Sequence, residues 1–150
     1  MFHSVLIPHR DRYDNLELCV WSLLRSAQAC GEHSFELVVS DSGSAAPVPE
    51  WIRAVRSLRF IEDPEPPEQF NKPRALNRGL DACRGRFISA LDADAIVAPR
   101  WFNGAWILND DPGVTRVAYR VRYIPATVAV ALQEQADGER YVWGAAGVHW

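Results

Sequence analysis

The chain has 150 residues, 48% of them hydrophobic, and a formal net charge of −3. That length is the usual size of one domain, and the apolar content can furnish a sizeable core. So mild a charge singles out neither nucleic acid nor a membrane surface as partner, and no apolar run is long enough to cross a bilayer.

The N-terminal MFHSVLIPHRDRYD has neither a basic leader nor a small-residue cleavage site, so it reads as a first strand, Ser4 to Ile7, stopped by Pro8. A charged loop follows. Leu16, Cys19, Val20, Leu23, Leu24 and Ala27 then recur at helical spacing, with Asp14 as the expected cap and Gly31 as the stop. Phe35 to Val39 is a continuous apolar strand ending in the turn-like SDSGS. Trp51, Ile52, Val55 and Leu58 form a second helical stripe behind Pro49, and Arg59 to Ile61 a third strand. EDPEPPEQF carries three prolines and four acids, which dictates an extended loop.

Pro73 suits the first turn of a helix whose stripe is Ala75, Leu76, Gly79, Leu80 and Cys83. Arg86 to Leu91 is a fourth strand running into Asp92-Ala93-Asp94, and Pro99 opens a helix through Trp106. Val114 to Ile124 alternates as a strand, Pro125 to Ala136 reads as helix and Tyr141 to Trp150 as a last strand. No repeat, low-complexity segment or domain linker interrupts the chain. Strands alternating with helices predict an α/β domain, a largely parallel sheet with helices on both faces.

In such sheets ligands bind at the carboxyl ends of the strands, near a switch in strand order. Those ends here read PHRDR, SDSGS and DADA. Polar and charged residues therefore gather where a site is expected. Asp92 and Asp94, two residues apart on an extended strand, would share one face with Cα atoms about 6–7 Å apart. Such a pair can hold a hard divalent cation that neutralises a diphosphate. On spacing alone, a turn cap at Asp94 beside a solvated Asp92 serves equally well. Asp41 could accept from a base N–H or a ribose hydroxyl, although a turn aspartate bonding its own backbone is the commoner arrangement.

Lys72, Arg74, Arg78, Arg84 and Arg86 stand against the single acid Asp81 over that span. A basic helix start is a reasonable phosphate neighbour, while Arg78 and Arg84 read as solvated. Gly79 reads as a close helix–sheet contact. No GxGxxG follows the first strand and no GxxxxGK[ST] exists, which removes the dinucleotide fingerprint and the P-loop. His3, His9, His33 and His149 are isolated in sequence. Cys19, Cys30 and Cys83 lack any CxxC spacing and read as reduced thiols in a cytoplasmic protein; Cys19 and Cys83 fall on apolar helix faces, where catalytic thiols are not expected. Trp101 and Trp106 read as core, whereas Trp143 or Trp150, flanking GAAG, could stack on a sugar.

Taken in order, SVLIPHRDR, FELVVSDSGS, NKPRALNRGLDACRGRFISALDADAIV and PRWF resemble the family 2 glycosyltransferases, over roughly Ser4 to Phe102. The resemblance implies a GT-A (Rossmann-like) nucleotide-sugar-binding fold, an NDP-sugar donor, commonly a UDP-sugar, and a divalent cation, Mn²⁺ or Mg²⁺. Carried over by position, Pro8, His9 and Arg10 would line the nucleoside pocket and Asp41 would bind the base. Lys72 or Arg74 would approach base or phosphates. Asp92, with Ala93 beside it, would serve ribose and metal, and Asp94 the metal directly.

The pattern departs from the family at Ser42 and Ala95, where further acids are frequent. The family's acidic general base lies in a second half, and Glu134, Asp137 and Glu139 do not sit in a matching context, so no base is named. The chain accordingly reads as one GT-A-type domain, a donor-binding half over 1–110 and a partial acceptor-side region over 111–150, truncated at its C-terminal end. The implied function is inverting sugar transfer to the hydroxyl of a saccharide, lipid or protein. A non-catalytic nucleotide-sugar-binding module, completed by an acceptor-side half, is the alternative. The expected setting is cytoplasmic, free or peripheral to the membrane, with no nucleic-acid partner.

Overall fold

The computed structural model describes residues 2–31 and 34–106, with the side chains of 104–106 excepted. The elements expected over 114–150, together with His33, His149, Trp143, Trp150, the Trp106 side chain and the acids Glu134, Asp137 and Glu139, lie outside the described residues.

In chain order the elements are β1 (His3–His9), α1 (Tyr13–Cys30), β2 (Phe35–Asp41), α2 (Glu50–Ala54), β3 (Leu58–Glu62), α3 (Lys72–Ala82), β4 (Phe87–Ala90) and α4 (Trp101–Trp106). The four strands form one parallel sheet in the order β3-β2-β1-β4. The chain steps outward from β1 to β3, then returns through α3 to the other side of β1. The switch in strand order therefore falls between β1 and β4.

Strand alternation divides the core. Val5, Ile7, Leu37 and Val39 pack with Leu16, Cys19, Val20, Leu23 and Ala27 of α1, Ile52 of α2 and Phe102 of α4. On the other face α3 lies against β1 and β2. Gly79 permits that approach, because a Cβ there would collide with Leu6 Cδ1 and crowd Ser40 Cβ.

Several boundaries differ from the sequence expectation. Pro8 does not stop β1, which runs on to His9 with Pro8 paired opposite Ser40. The ladder explains why. Leu6 O accepts from Leu91 N at 2.9 Å, so even-numbered residues of β1 bond toward β4, and the N–H that Pro8 lacks is missing only on that side. Asp14 does not cap α1; Arg12 is the N-cap residue, without a side-chain bond, and Asp14 sits in the first turn, where an acid favours the helix dipole. Gly31 ends α1 as expected, in the left-handed conformation at φ 63°, its N–H reaching Ala27 O and Gln28 O.

The helix α2 ends at Ala54, so Val55 leaves the helix and Leu58 opens β3 instead of completing a stripe. Helix α3 begins one residue before Pro73, capped by the Asn71 side chain accepting from Arg74 N at 3.0 Å. Leu80, expected on its apolar stripe, is exposed. Strand β4 occupies only Phe87–Ala90, and α4 begins at Trp101, two residues after Pro99.

Candidate active site

A cleft of about 400 Å³ opens at the carboxyl ends of β1 and β4. Pro8, His9, Arg10, Asp11 and Arg12 line it from the end of β1 and the loop behind it, Phe70 and Lys72 from the entry to α3, and Asp92, Ala93 and Asp94 from the segment after β4. Seven of the nine residues predicted from sequence meet there: Pro8, His9, Arg10, Lys72, Asp92, Ala93 and Asp94. Asp41 and Arg74 do not line it.

The two carboxylates are not on an extended strand. β4 ends at Ala90, and Ala95 N donates to Asp92 O at 3.0 Å, closing a turn over residues 92–95. Ala93 packs against the core while Asp92 and Asp94 are exposed on either side of it. Cys19 Sγ, 3.7 Å from Asp92 O, fastens this turn to α1. Burial, with Asp94 and Asp92 nearby, pushes the Cys19 thiol up to about 12, so it is no nucleophile.

Each carboxylate faces a cation. Lys72 Nζ pairs with Asp92 Oδ1, and Arg12 Nη1 lies 3.4 Å from Asp94 Oδ2. Among the described residues no group of three or more His, Cys, Asp or Glu could hold a metal ion. A Mg²⁺ ion beside phosphates needs no closed cage: it takes one or two carboxylates and completes its shell with water and ligand oxygens, and carboxylate donors suit Mn²⁺ equally. Two hard carboxylates on one exposed turn fit such an ion.

Asp41 is buried at the end of β2 and fully engaged. Its Oδ1 accepts from His9 Nδ1 at 2.8 Å and from Ser44 Oγ at 2.5 Å, and its Oδ2 from Gly43 N at 3.1 Å and Ser44 N at 2.8 Å. Burial raises its pKa, but the bonds from His9 and Ser44 outweigh it and hold the carboxyl below its ordinary value. His9 Nε2 in turn accepts from Arg12 N at 3.2 Å. Both bonds are satisfied by the Nδ1–H tautomer, which fixes the ring beside Tyr13, with centroids 4.7 Å apart.

Arg74 turns away from the cleft. Its Nε and Nη2 hold the two oxygens of Asp63 at 2.7 and 3.0 Å, and Nη2 also donates to Glu65 O at 2.8 Å. Arg78, expected to be solvated, joins the same carboxylate at 2.5 Å. The Asp63 side chain is only 2% exposed, and the two guanidiniums hold it far below the usual carboxylate range. Arg10 lines the cleft yet spends Nη1 on Pro67 O at 2.9 Å. The proline-rich segment is thus pinned from both sides: Asp63 N bonds Asp41 O at 3.0 Å, and Pro66 lies where a Cβ on Gly43 would be.

Sequence reasoning missed Asp11, Arg12, Phe70 and Asp63. The cue for Arg12 was the second cation of PHRDR; nothing local marked Asp63, whose partners lie eleven and fifteen residues downstream. Asp11 adopts φ 57° and its carboxylate accepts from Ala45 N at 2.6 Å, clasping the loops behind β1 and β2. His3 is buried against Trp101 and Phe102 and bonds Ser89 Oγ at 2.9 Å, far from the cleft. The described cysteines are free thiols. Among the described residues no helix is long and apolar enough to cross a membrane.

The fold is that of S. aureus TarS, at a TM-score of 0.58 and 23% identity over 70% of this chain and 19% of that one. The TarS 1-349 crystal structures in complex with UDP (TM-score 0.58, 23% identity) and with UDP-GlcNAc (0.56, 21%) also match over 70% of this chain, covering 31% and 30% of theirs. Uncharacterized protein y4gI of Sinorhizobium fredii is 30% identical over 126 residues, 80% of this chain but only 13% of its own length. The chain thus spans less than a third of each of these proteins. The family model described as glycosyl transferase family 2 matches residues 4–135, a span that includes Asp92 and Asp94 of the cleft, and the chain belongs to that family.

Proposed function

We propose that the chain forms the donor-binding part of a metal-dependent, inverting glycosyltransferase that takes its sugar from an NDP-sugar, UDP-sugars first, and passes it to an acceptor hydroxyl. The observation that carries this reading is the placement of Asp92, Asp94, Lys72 and Arg12 around one cleft at the switch point between β1 and β4. The TarS structures, which hold UDP and UDP-GlcNAc, support the choice of nucleotide.

In this reading Pro8, His9, Arg10 and Ala93 shape the wall against which the nucleoside lies. Asp41 serves that wall through His9, whose ring it orients. Lys72 meets the diphosphate, and Arg74 acts through Asp63 by holding the start of α3 in place. Asp94 would hold Mn²⁺ or Mg²⁺ directly, and Asp92 would serve metal and ribose. The cation, when bound, neutralises the diphosphate and makes it a better leaving group. The free thiols favour a reducing, cytoplasmic setting.

Calorimetric titration of UDP with and without Mn²⁺, on the wild-type chain and Asp94→Asn, tests the reading. Binding that requires Mn²⁺ and is lost in the variant is expected. Binding indifferent to both metal and substitution overturns it.

A further inference from the structure

Two of the ion pairs lining the cleft draw their acids from a single turn. Asp92 and Asp94 belong to one turn, but their cations come from separate elements: Arg12 from the loop after β1, Lys72 from the first residue of α3. Both pairs stand half open to water, with side-chain exposures of 66% and 52% for Arg12 and Asp94, and 46% and 57% for Lys72 and Asp92. Solvent-exposed ion pairs are weakly held and readily exchanged. A divalent cation entering the turn needs the carboxylate oxygens that these cations engage, and a diphosphate entering beside it needs cations. Resting on the donor-site reading above, we infer that Arg12 and Lys72 are resident counter-ions that exchange partners on binding: the carboxylates pass from guanidinium and ammonium to the metal, and the two released cations pass to the diphosphate oxygens.

The exchange keeps the cleft close to neutral before and after loading, because a divalent cation and a nucleotide-sugar diphosphate enter with opposite charge. Its consequence is an ordering. Metal alone must displace a resident cation that then lacks a partner, so the empty chain binds metal poorly. Metal and nucleotide together leave no charge unpaired.

This yields opposite effects from one substitution. In the intact chain, Arg12→Gln removes a competitor for Asp94 and is expected to tighten binding of Mn²⁺ alone about two- to fivefold, as follows from an exposed pair of ordinary strength. The same variant is expected to bind UDP in saturating Mn²⁺ about tenfold more weakly, since a phosphate partner is gone. Lys72→Gln should repeat both shifts, and Arg12→Lys, which keeps the charge, should restore metal binding toward wild type. All are surface substitutions, and melting curves verify that each variant is folded. Mn²⁺ binding that is lost in Asp94→Asn yet unchanged or weakened in both Arg12→Gln and Lys72→Gln overturns the exchange and leaves the metal site standing. A wild-type chain that binds no Mn²⁺ with or without UDP overturns both.

Discussion

His9 Nδ1 donates to Asp41 Oδ1 at 2.8 Å, joining the last residues of β1 and β2 through two buried side chains. One residue lines the cleft and the other does not. The pair converts a fold contact into a site contact, because the same imidazole receives Arg12 N on its far nitrogen.

Asp41→Asn tests that coupling. An amide cannot accept at both of its heteroatoms, so either the bond from His9 or the bonds from Gly43 N and Ser44 N are lost. A destabilisation of about 2–3 kcal/mol is expected, as for a buried polar group left unsatisfied. Denaturant unfolding measures it. UDP affinity, compared at a temperature where both chains are folded, should fall less than tenfold; loss of binding with unchanged stability would instead make Asp41 a direct base contact.

Acid should destabilise the fold. Asp63, Asp41 and Glu36 are all held below their ordinary values: Asp63 by Arg74 and Arg78, Asp41 by His9 and Ser44 against its burial, and Glu36 by Ser4, Arg84 N and Arg59 against its burial. Each therefore binds its proton more tightly unfolded than folded. Their stabilisation is complete above the ordinary carboxylate values, near pH 4, and is lost as pH falls below them toward the depressed folded values. The Tm should drop steadily from about pH 5 downward. Asp63→Asn should lower the Tm at pH 7 by several degrees and flatten the acid limb; an unchanged limb would show that Asp63 is not a source of the linkage.

Gly43 has φ 84° and faces Pro66, so a side chain there meets backbone strain and a rigid ring together. Gly43→Ala should cost about 1–3 kcal/mol. Because the displaced segment is held through Pro67 O by Arg10 of the cleft wall, UDP affinity should fall as well. Chemical denaturation and calorimetry read the two effects separately.

Cys19 should resist alkylation. The thiol is fully buried and its pKa is pushed up to about 12, whereas Cys30 is only partly covered. Iodoacetamide at pH 8 should label Cys30 in the native chain and Cys19 only after unfolding, as peptide mass spectrometry would show. Rapid native labelling of Cys19 would contradict its packing under the 92–95 turn.

What the sequence made legible was set by local chemistry. The strand cores, the long stripe of α1, Gly31 as a stop and the gathering of charge at strand ends all follow from neighbours within a turn or two. The misplacements have non-local causes. Pro8 continues its strand because β1 is paired differently on its two sides. Leu58 joins β3 because β2 offers a parallel ladder at Leu37. Within the site, Asp92, Ala93 and Asp94 announced themselves by spacing and family order, while Asp63 was hidden in a loop that composition alone makes look solvated. Its burial depends on two arginines of a later helix, a relation that periodicity does not encode. Arg74 was placed at the cleft for its charge and is instead consumed by that carboxylate.

Pro8 carries one further consequence. Beyond Leu91 the next rung between β1 and β4 would need an N–H from residue 8, and proline has none. Strands β1 and β4 are therefore stopped from zipping shut at the level where the cleft begins. The opening between them is written into a missing hydrogen atom.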